Sequence, residues 1–438
     1  MFQRRMPDWL RHAPNPGLRG FALLAALEAA VRGMLISVLP VAMYKAFADA
    51  QRVSEIYLAI GFCSLLTGLM VPWLTRTVPR RYMFSLGACL FMAGCALAIA
   101  GPAESIAFTV LLNSAATVIV TVCFNAYVLD YIAKVELGRA ETLRLFYSAL
   151  AWTAGPVLGV WLYGLWQPAP FIVSFAAATA LLIAFWIMRL GDGKLITRAR
   201  APAPNPFAYL GRFFRQPRLV TGWLFAVIRS CGWWAYIVYL PIFALDNGLG
   251  DKTGGIALSF SNGLLFAVPV ALVWLQKTSV KAGVRLGFLF SGLGFIAAAF
   301  VASAPVVSIL LLAAGSAFLI LLDVCGGLPF LLAVKPSERT EMSAVYSSYR
   351  DASNIISPGV AWLVLLVFPL PSVFAAIGAG LLGCFVVAGR LHARLGAQRL
   401  KPPAPLLPPL GDTGQPADPE PAPIPSRAGD GRRRFPSS

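Results

Sequence analysis

Glu28, Arg32, Arg229 and Asp323 are ionisable residues deep inside long apolar stretches of this 438-residue chain. A charged side chain at the centre of a bilayer costs about 2.5–3.5 kcal/mol on insertion scales. Such groups persist where they neutralise one another, line a wet cavity, or carry protons and substrate. Glu28 and Arg32 are one helical turn apart and share a face. A structural ion pair is one reading; a substrate or proton site is the other. Asp323 lies twelve residues before Lys335, which is ~18 Å along a helix. Its neighbours Cys325, Gly326 and Gly327 would let another helix approach. A carboxyl at that depth is a candidate proton-coupling group, the alternative being structural pairing with Arg229 or Arg350. Arg350-Asp351 opens a further apolar segment eight residues before Pro358. Successive residues of a helix point ~100° apart, so one of the two can face an interior while the other meets a neighbour. Both could equally sit at headgroup level.

Neutral groups add to this set. Asn113 and Asn125 are twelve residues apart in one segment, and Trp233, Trp234, Tyr236 and Tyr239 form an aromatic stripe. Trp233 and Tyr236 are expected to wall a cavity, the others to pack between helices or to sit at the membrane interface. Counting Glu28, Asp323 and Asp351 against Arg32, Arg229 and Arg350, the deep charge balances. That leaves amphipathic, zwitterionic and neutral solutes open. The two histidines, His12 and His392, lie near segment ends, and the seven cysteines are scattered singly without a C-x-x-C pair. Free packed thiols, no metal and no cofactor are therefore expected. The chain also lacks a glycine-rich phosphate loop and a nucleophile constellation, which argues against an enzyme.

The elements that must hold these residues are membrane helices. Apolar residues make up 58% of the chain and charged ones 13%, about half the ~25% charge of a soluble domain. Apolar segments recur at roughly 20–47, 53–74, 82–100, 105–133, 145–166, 169–190, 219–245, 254–275, 284–303, 305–334, 345–368 and 370–389. Each is near the ~20 residues that cross a bilayer core, and backbone in lipid must bond within its own segment, so they are helices. The net charge of +17 is unevenly spread. Arg and Lys cluster before span one and after spans two, four, six, eight, ten and twelve. The other connections hold little beyond Lys45, Arg52 and Lys252. That alternation places both termini in the cytoplasm and explains the charge without nucleic acid. Span one is too long, and carries too much charge in Glu28 and Arg32, for a cleaved signal peptide.

The chain also repeats. At an offset of 201 residues Leu39-Pro40 falls on Leu240-Pro241, Trp73-Leu74 on Trp274-Leu275, Arg76-Thr77 on Lys277-Thr278 and Lys134 on Lys335. Gly155-Pro156 falls one residue early on Ser357-Pro358, and Glu28 falls on Arg229. Five landmarks in one order indicate two related halves, a common plan among secondary transporters. The expected domains are a cytoplasmic segment 1–18, a bundle 19–190, a basic linker 191–218, a second bundle 219–395 and a Pro-rich tail 396–438. The linker residues Phe207, Leu210, Phe213 and Phe214 have the spacing of a short amphipathic helix, with Arg212 and Arg215 toward headgroups; a plain basic linker is the alternative. The tail cannot bury enough apolar surface to fold.

Two local motifs carry a family resemblance. The stretch Val71-Pro72-Trp73-Leu74-Thr75-Arg76-Thr77-Val78-Pro79-Arg80-Arg81 is similar to the G-x-x-x-D-R-x-G-R-R-R loop of the major facilitator superfamily. Thr75 stands in place of the aspartate and valines in place of the glycines. Asp130, one turn before Lys134, is where that family often carries an acid paired with the loop arginines; a plain helix-end acid is the alternative. Ala151-Trp152-Thr153-Ala154-Gly155-Pro156-Val157-Leu158-Gly159 resembles the family's G-x-x-x-G-P-x-x-G, associated there with exporters that exchange substrate for protons. Small residues allow close helix contact and proline frees a carbonyl, so Gly155, Pro156 and Gly159 form a bendable seam.

The resemblance covers roughly residues 18–395. It implies an all-α integral membrane fold of twelve helices in two pseudo-symmetric six-helix bundles, with spans one and seven lining a central cavity. It further implies a monomeric secondary transporter in a bacterial inner membrane, moving a small organic solute by alternating access, coupled to protons and directed outward. Glu28 and Asp323 are then the acids, with Arg32, Arg229 and Arg350 as modulators and Asp351 and Asn125 on the pathway. Two other readings remain: an importer of an anionic metabolite held by Arg32 and Arg229, and a non-transporting sensor or assembly factor on the same fold.

Overall fold

The computed structural model describes residues 17–132, 136–188, 209–267, 273, 278–334 and 339–391. The chain divides into two units, Met1–Ala397 and Gln398–Ser438; the expected tail, the N-terminal segment before Gly17 and most of the linker lie outside the described residues. Within the first unit the described regular elements are helices. The first set comprises α1 (Leu18–Leu35), α2 (Val38–Phe47), α3 (Ala50–Thr77), α4 (Arg80–Ala100), α5 (Ile106–Tyr131), α6 (Leu137–Leu165) and α7 (Ala169–Ile187). After α8 (Leu210–Phe214) comes the second set: α9 (Pro217–Trp234), α10 (Leu240–Asp246), α11 (Lys252–Gly263), α12 (Val280–Phe300), α13 (Pro305–Cys325), α14 (Leu328–Ala333), α15 (Arg339–Ser347), α16 (Tyr349–Leu365) and α17 (Pro371–Ala388).

Among the described residues ten helical stretches are long and apolar enough to cross a membrane. The expected spans 254–275 and 345–368 fall on α11 and α16, of 12 and 17 residues, which are not among those ten. Side chains start two of the helices: Asp49 accepts from Gln51 N at 2.9 Å and Ser279 from Ala282 N at 3.1 Å, meeting donors that a first turn leaves unpaired.

Proline sets the internal breaks. It cannot donate to the carbonyl four residues back. Pro40 releases Ile36, and span one turns at 36–37 between α1 and α2. Pro241 releases Ile237, and span seven widens into a π-helical turn over Ala235–Tyr239 between α9 and α10. The two breaks occupy equivalent places in the 201-residue repeat, the same cause giving the same result in each half. Pro329 repeats the device in span ten, which breaks at 326–327 between α13 and α14.

Close packing depends on the small residues. A methyl group added to Gly33 of α1 would lie 2.5 Å from the Ala151 carbonyl oxygen of α6, and one on Gly155 would lie 2.8 Å from that of Gly33. Gly159 faces the Met34 carbonyl still more tightly. The Gly155–Gly159 motif is therefore the surface on which α1 and α6 touch backbone to backbone. Further out in the same half, Phe84 and Phe185 stack at 4.1 Å. In the second half Phe243 and Phe295 both meet Phe374 edge-on. The seven cysteines are free thiols, five of them buried.

The two sets of helices meet chiefly along α3 with α16 and α6 with α11. In the linker region α8 is helical over five residues. Its Phe213 is fully buried with Phe330, Val334, Met342 and Val345, while Phe214 is exposed and edge-on to Trp223. Phe213 thus anchors α8 to protein. Phe207 lies outside the described residues.

Candidate functional site

The deep charges form two clusters, one in each half. In the second half Arg229, on α9, places Nε 3.1 Å from Asp323 Oδ1 on α13. The other oxygen of that carboxylate accepts from Trp233 Nε1 at 2.9 Å. One turn separates Arg229 from Trp233, so a single face of α9 presents the guanidinium and the indole N–H to Asp323. The guanidinium also lies over the Tyr349 ring, 5.5 Å from its centroid. A cation over an aromatic face in a poorly hydrated site gains about 0.5–2 kcal/mol. Arg229 is 9% exposed, whereas the Asp323 side chain keeps 36% of its surface open. Of the two arginines within sequence reach, Asp323 takes Arg229; Arg350 is exposed on α16 and donates to Tyr349 Oη at 3.2 Å. Asp351 occupies the first turn of α16, where a negative charge complements the helix dipole.

In the first half Arg32 Nη1 donates to Glu28 Oε1 at 2.8 Å along α1. Arg32 also lies 5.1 Å above the ring of Trp152 on α6. Glu28 and Arg229 are equivalent in the repeat, yet their partners differ. Glu28 is neutralised within its own helix, Arg229 from another. Both side chains of the first pair retain open surface, 18% for Glu28 and 34% for Arg32.

The remaining expected residues are more dispersed. Trp233 reaches the charged cluster. Tyr236 is 1% exposed, and its hydroxyl bonds to Ala257 O at 3.0 Å and Ser261 Oγ at 2.7 Å. Ser261 in turn bonds Ser316 at 2.7 Å, so Tyr236 ties α11 and α13 to span seven inside the second half. Asn125 is exposed on α5 and Asn113 is buried on the same helix. Arg80 lies 5.4 Å over the Tyr127 ring and Arg81 4.9 Å over that of Tyr82. The side chains of Arg76 and Asp130 lie outside the described residues, as do Lys134 and Lys335.

At the end of the bundle that carries few basic residues, the halves are bound together. Tyr44 Oη donates to Asp246 at 2.8 Å, and Lys45 pairs with Asp251. Ser54 and Tyr239, both fully buried, share a 2.9 Å hydrogen bond, and Tyr57 meets Trp234 edge-on at 5.2 Å. Within the second half, Trp234 Nε1 in turn donates to Asn354 Oδ1 at 2.7 Å. The Lys45–Asp251 pair is partly exposed, so its worth is about 0–1 kcal/mol. Lys45→Ala is accordingly expected to lower the melting temperature of the purified protein by less than ~2 °C. Exchanging the two charges should restore it, as thermal unfolding of the single and double variants would show.

Trp152, Tyr349 and Asn354 join these clusters without having stood out among the chain's polar and aromatic residues. Trp152 lies inside the Gly-Pro motif, whose pattern is carried by its small residues. Asn354 was legible in principle, standing four before Pro358 in a span whose freed carbonyl needs company.

The fold has counterparts among known proteins. The family model described as Major Facilitator Superfamily matches residues 21–358. The nucleoside transporter NupG superposes with a TM-score of 0.61 at 12% identity, covering 86% of this chain and 99% of that one. A POT family transporter in complex with a thioalcohol-conjugated peptide gives 0.70 at 12% identity, covering 85% and 95%. A peptide transporter POT in complex with sulfate gives 0.68 at 16%, covering 89% and 99%. At such identities these likenesses concern the fold. None of the curated proteins matches the sequence significantly.

Proposed function

The chain belongs to the major facilitator superfamily, and from that premise we propose that it is a proton-coupled secondary transporter that exports a small organic solute by alternating access. The observation that carries the reading is the Arg229–Asp323–Trp233 cluster. A carboxylate about one-third open at mid-span, with an arginine and an indole aimed at it from one helix face, can trade its proton for its cation. Asp323 takes the proton when Arg229 turns to solute, and gives it up when Arg229 returns. Solute and proton are then linked reciprocally. Glu28 with Arg32 is the matching pair on the first half.

In this reading twelve spans cross the membrane, α11 and α16 completing the set, and the basic connections lie in the cytoplasm. The end closed by Lys45–Asp251 and Ser54–Tyr239 is then the outer one, and the conformation faces inward. Export is favoured by the Gly155-Pro156 motif, and balanced deep charge favours a zwitterionic or amphipathic solute over a strong cation or anion.

The test is a solute panel applied to proteoliposomes with a lumenal pH dye. Proton movement that depends on one solute class and reverses with the imposed pH gradient supports the proposal. Solute flux indifferent to that gradient would overturn proton coupling. Uptake in energised vesicles with the native orientation would overturn export.

A further inference from the structure

A carbonyl freed by proline inside a membrane helix needs a new partner, because lipid supplies none. Pro156 frees the carbonyl of Trp152 on α6, and Pro358 that of Asn354 on α16. Both lie on the two seams between the halves. At the first seam the Trp152 oxygen accepts from Asn262 Nδ2 of α11 at 2.6 Å. Beside it, Val157 N–H donates to Ser259 Oγ at 3.0 Å, and a methyl group on Gly255 would lie 2.7 Å from the Pro156 carbonyl. At the second seam the Asn354 carbonyl oxygen lies against Gly61 of α3, where an added methyl group would come within 2.5 Å of it. Positions 61 and 262 differ by 201, the repeat offset. The two halves therefore face each other's proline-freed carbonyls with the same helical position. At one seam it holds a carboxamide that binds, at the other a glycine that lets the carbonyl come close.

We propose that Asn262 and Gly61 are paired latch positions that hold the basic-poor end closed. Asn262 acts by a hydrogen bond across the α6–α11 seam, with Ser259 as its auxiliary. Gly61 acts by permitting backbone contact across the α3–α16 seam. Both seams join the halves, so both must part for this end to open. Only that last consequence rests on the alternating-access reading; the latch itself is a statement about which end is held together.

The experiment places spin labels at Glu104→Cys and Ser303→Cys, exposed positions in two turns at this end, with Cys63 and Cys89 changed to serine. Distances are read in lipid nanodiscs. The parent should show a dominant short-distance population. Asn262→Leu, which keeps bulk and removes the donor, should raise the long-distance population roughly five-fold, the scale of one net hydrogen bond. Gly61→Ala should act in the same direction. Pro156→Ala returns a donor to Trp152 within its own helix, so in that background Asn262→Leu should add nothing. An unchanged distribution in Asn262→Leu, or the same factor in the Pro156→Ala background, overturns the proposal. If Asn262→Leu does not yield folded protein, Ser259→Ala serves: a smaller shift the same way supports the latch, and no shift overturns it. An absence of solute-dependent flux in the parent protein, with the distance shift in Asn262→Leu intact, would sink the transport assignment and leave the latch standing.

Discussion

Asp323→Asn is expected to cut solute-dependent proton movement in reconstituted vesicles by roughly 5–150-fold, the range spanned by ordinary coupling free energies. Asparagine keeps the shape of the side chain and can still accept from Trp233. It cannot take up a proton and cannot neutralise Arg229, which is buried on α9. Removing one partner of a buried pair is destabilising by itself, because the other charge is left alone. Loss of flux in the single variant therefore has two causes that must be separated. The double variant Asp323→Asn with Arg229→Gln does so. It restores neutrality, so a purely structural pair predicts recovered flux, while a proton-carrying Asp323 predicts that proton movement stays lost although the protein is again well folded. Glu28→Gln is the companion experiment. Arg32 keeps its seat over Trp152, so that variant should fold normally, and wild-type proton coupling in both Glu28→Gln and Asp323→Asn would dispose of the acid assignments.

The second large effect is on folding. Gly155→Ala is expected to abolish or sharply reduce recovery of monodisperse protein. The new methyl group would sit 2.6 Å from the carbonyl carbon of Gly33 and 2.8 Å from its oxygen. Neither is the end of a flexible side chain that can step aside. Overpacking a well-filled site costs about 1–3 kcal/mol, and backbone-on-backbone contact belongs at the upper end. Gly263→Ala is the matched control, since nothing lies within 4 Å of a methyl group there. There, higher helix propensity should leave stability equal or slightly raised, by up to ~1 kcal/mol. Size-exclusion profiles and thermal melts of the two variants side by side decide the matter. Equal behaviour would mean that the α1–α6 seam is looser than its geometry.

What the sequence disclosed and what it hid have physical reasons. The 201-residue offset needed only identity and order of residues; the fold then adds pairs at that offset which the chain alone did not single out, the breaks before Pro40 and Pro241 and the facing sites 61 and 262. Proline effects are local, fixed by the carbonyl four residues upstream, so they could be read along the chain. Partner choice could not. Asp323 had two arginines within reason, and only the placement of α9 against α13 selects Arg229 over Arg350. Tyr236 shares its aromatic stripe with Trp233, yet Trp233 turns to the charged cluster and Tyr236 to Ser261. Residues three apart on a helix diverge by about 60° in facing, and the wide turn that begins at Ala235 rotates the downstream residues further. The linker was legible as aromatic and basic, but whether Phe213 met lipid or protein depended on the pocket that Phe330 and Met342 make.

That wide turn has a mechanical result. It divides span seven into two rods meeting at a knuckle, Ala235–Tyr239. The upstream rod holds Arg229 and Trp233; the downstream one begins at Leu240 and carries Phe243, with Tyr239 at the joint. Under the proposed alternating access, a knuckle there would let the far rod swing while the near one stays still, so the Arg229–Asp323 cluster need not be dragged along when the Ser54–Tyr239 clasp lets go.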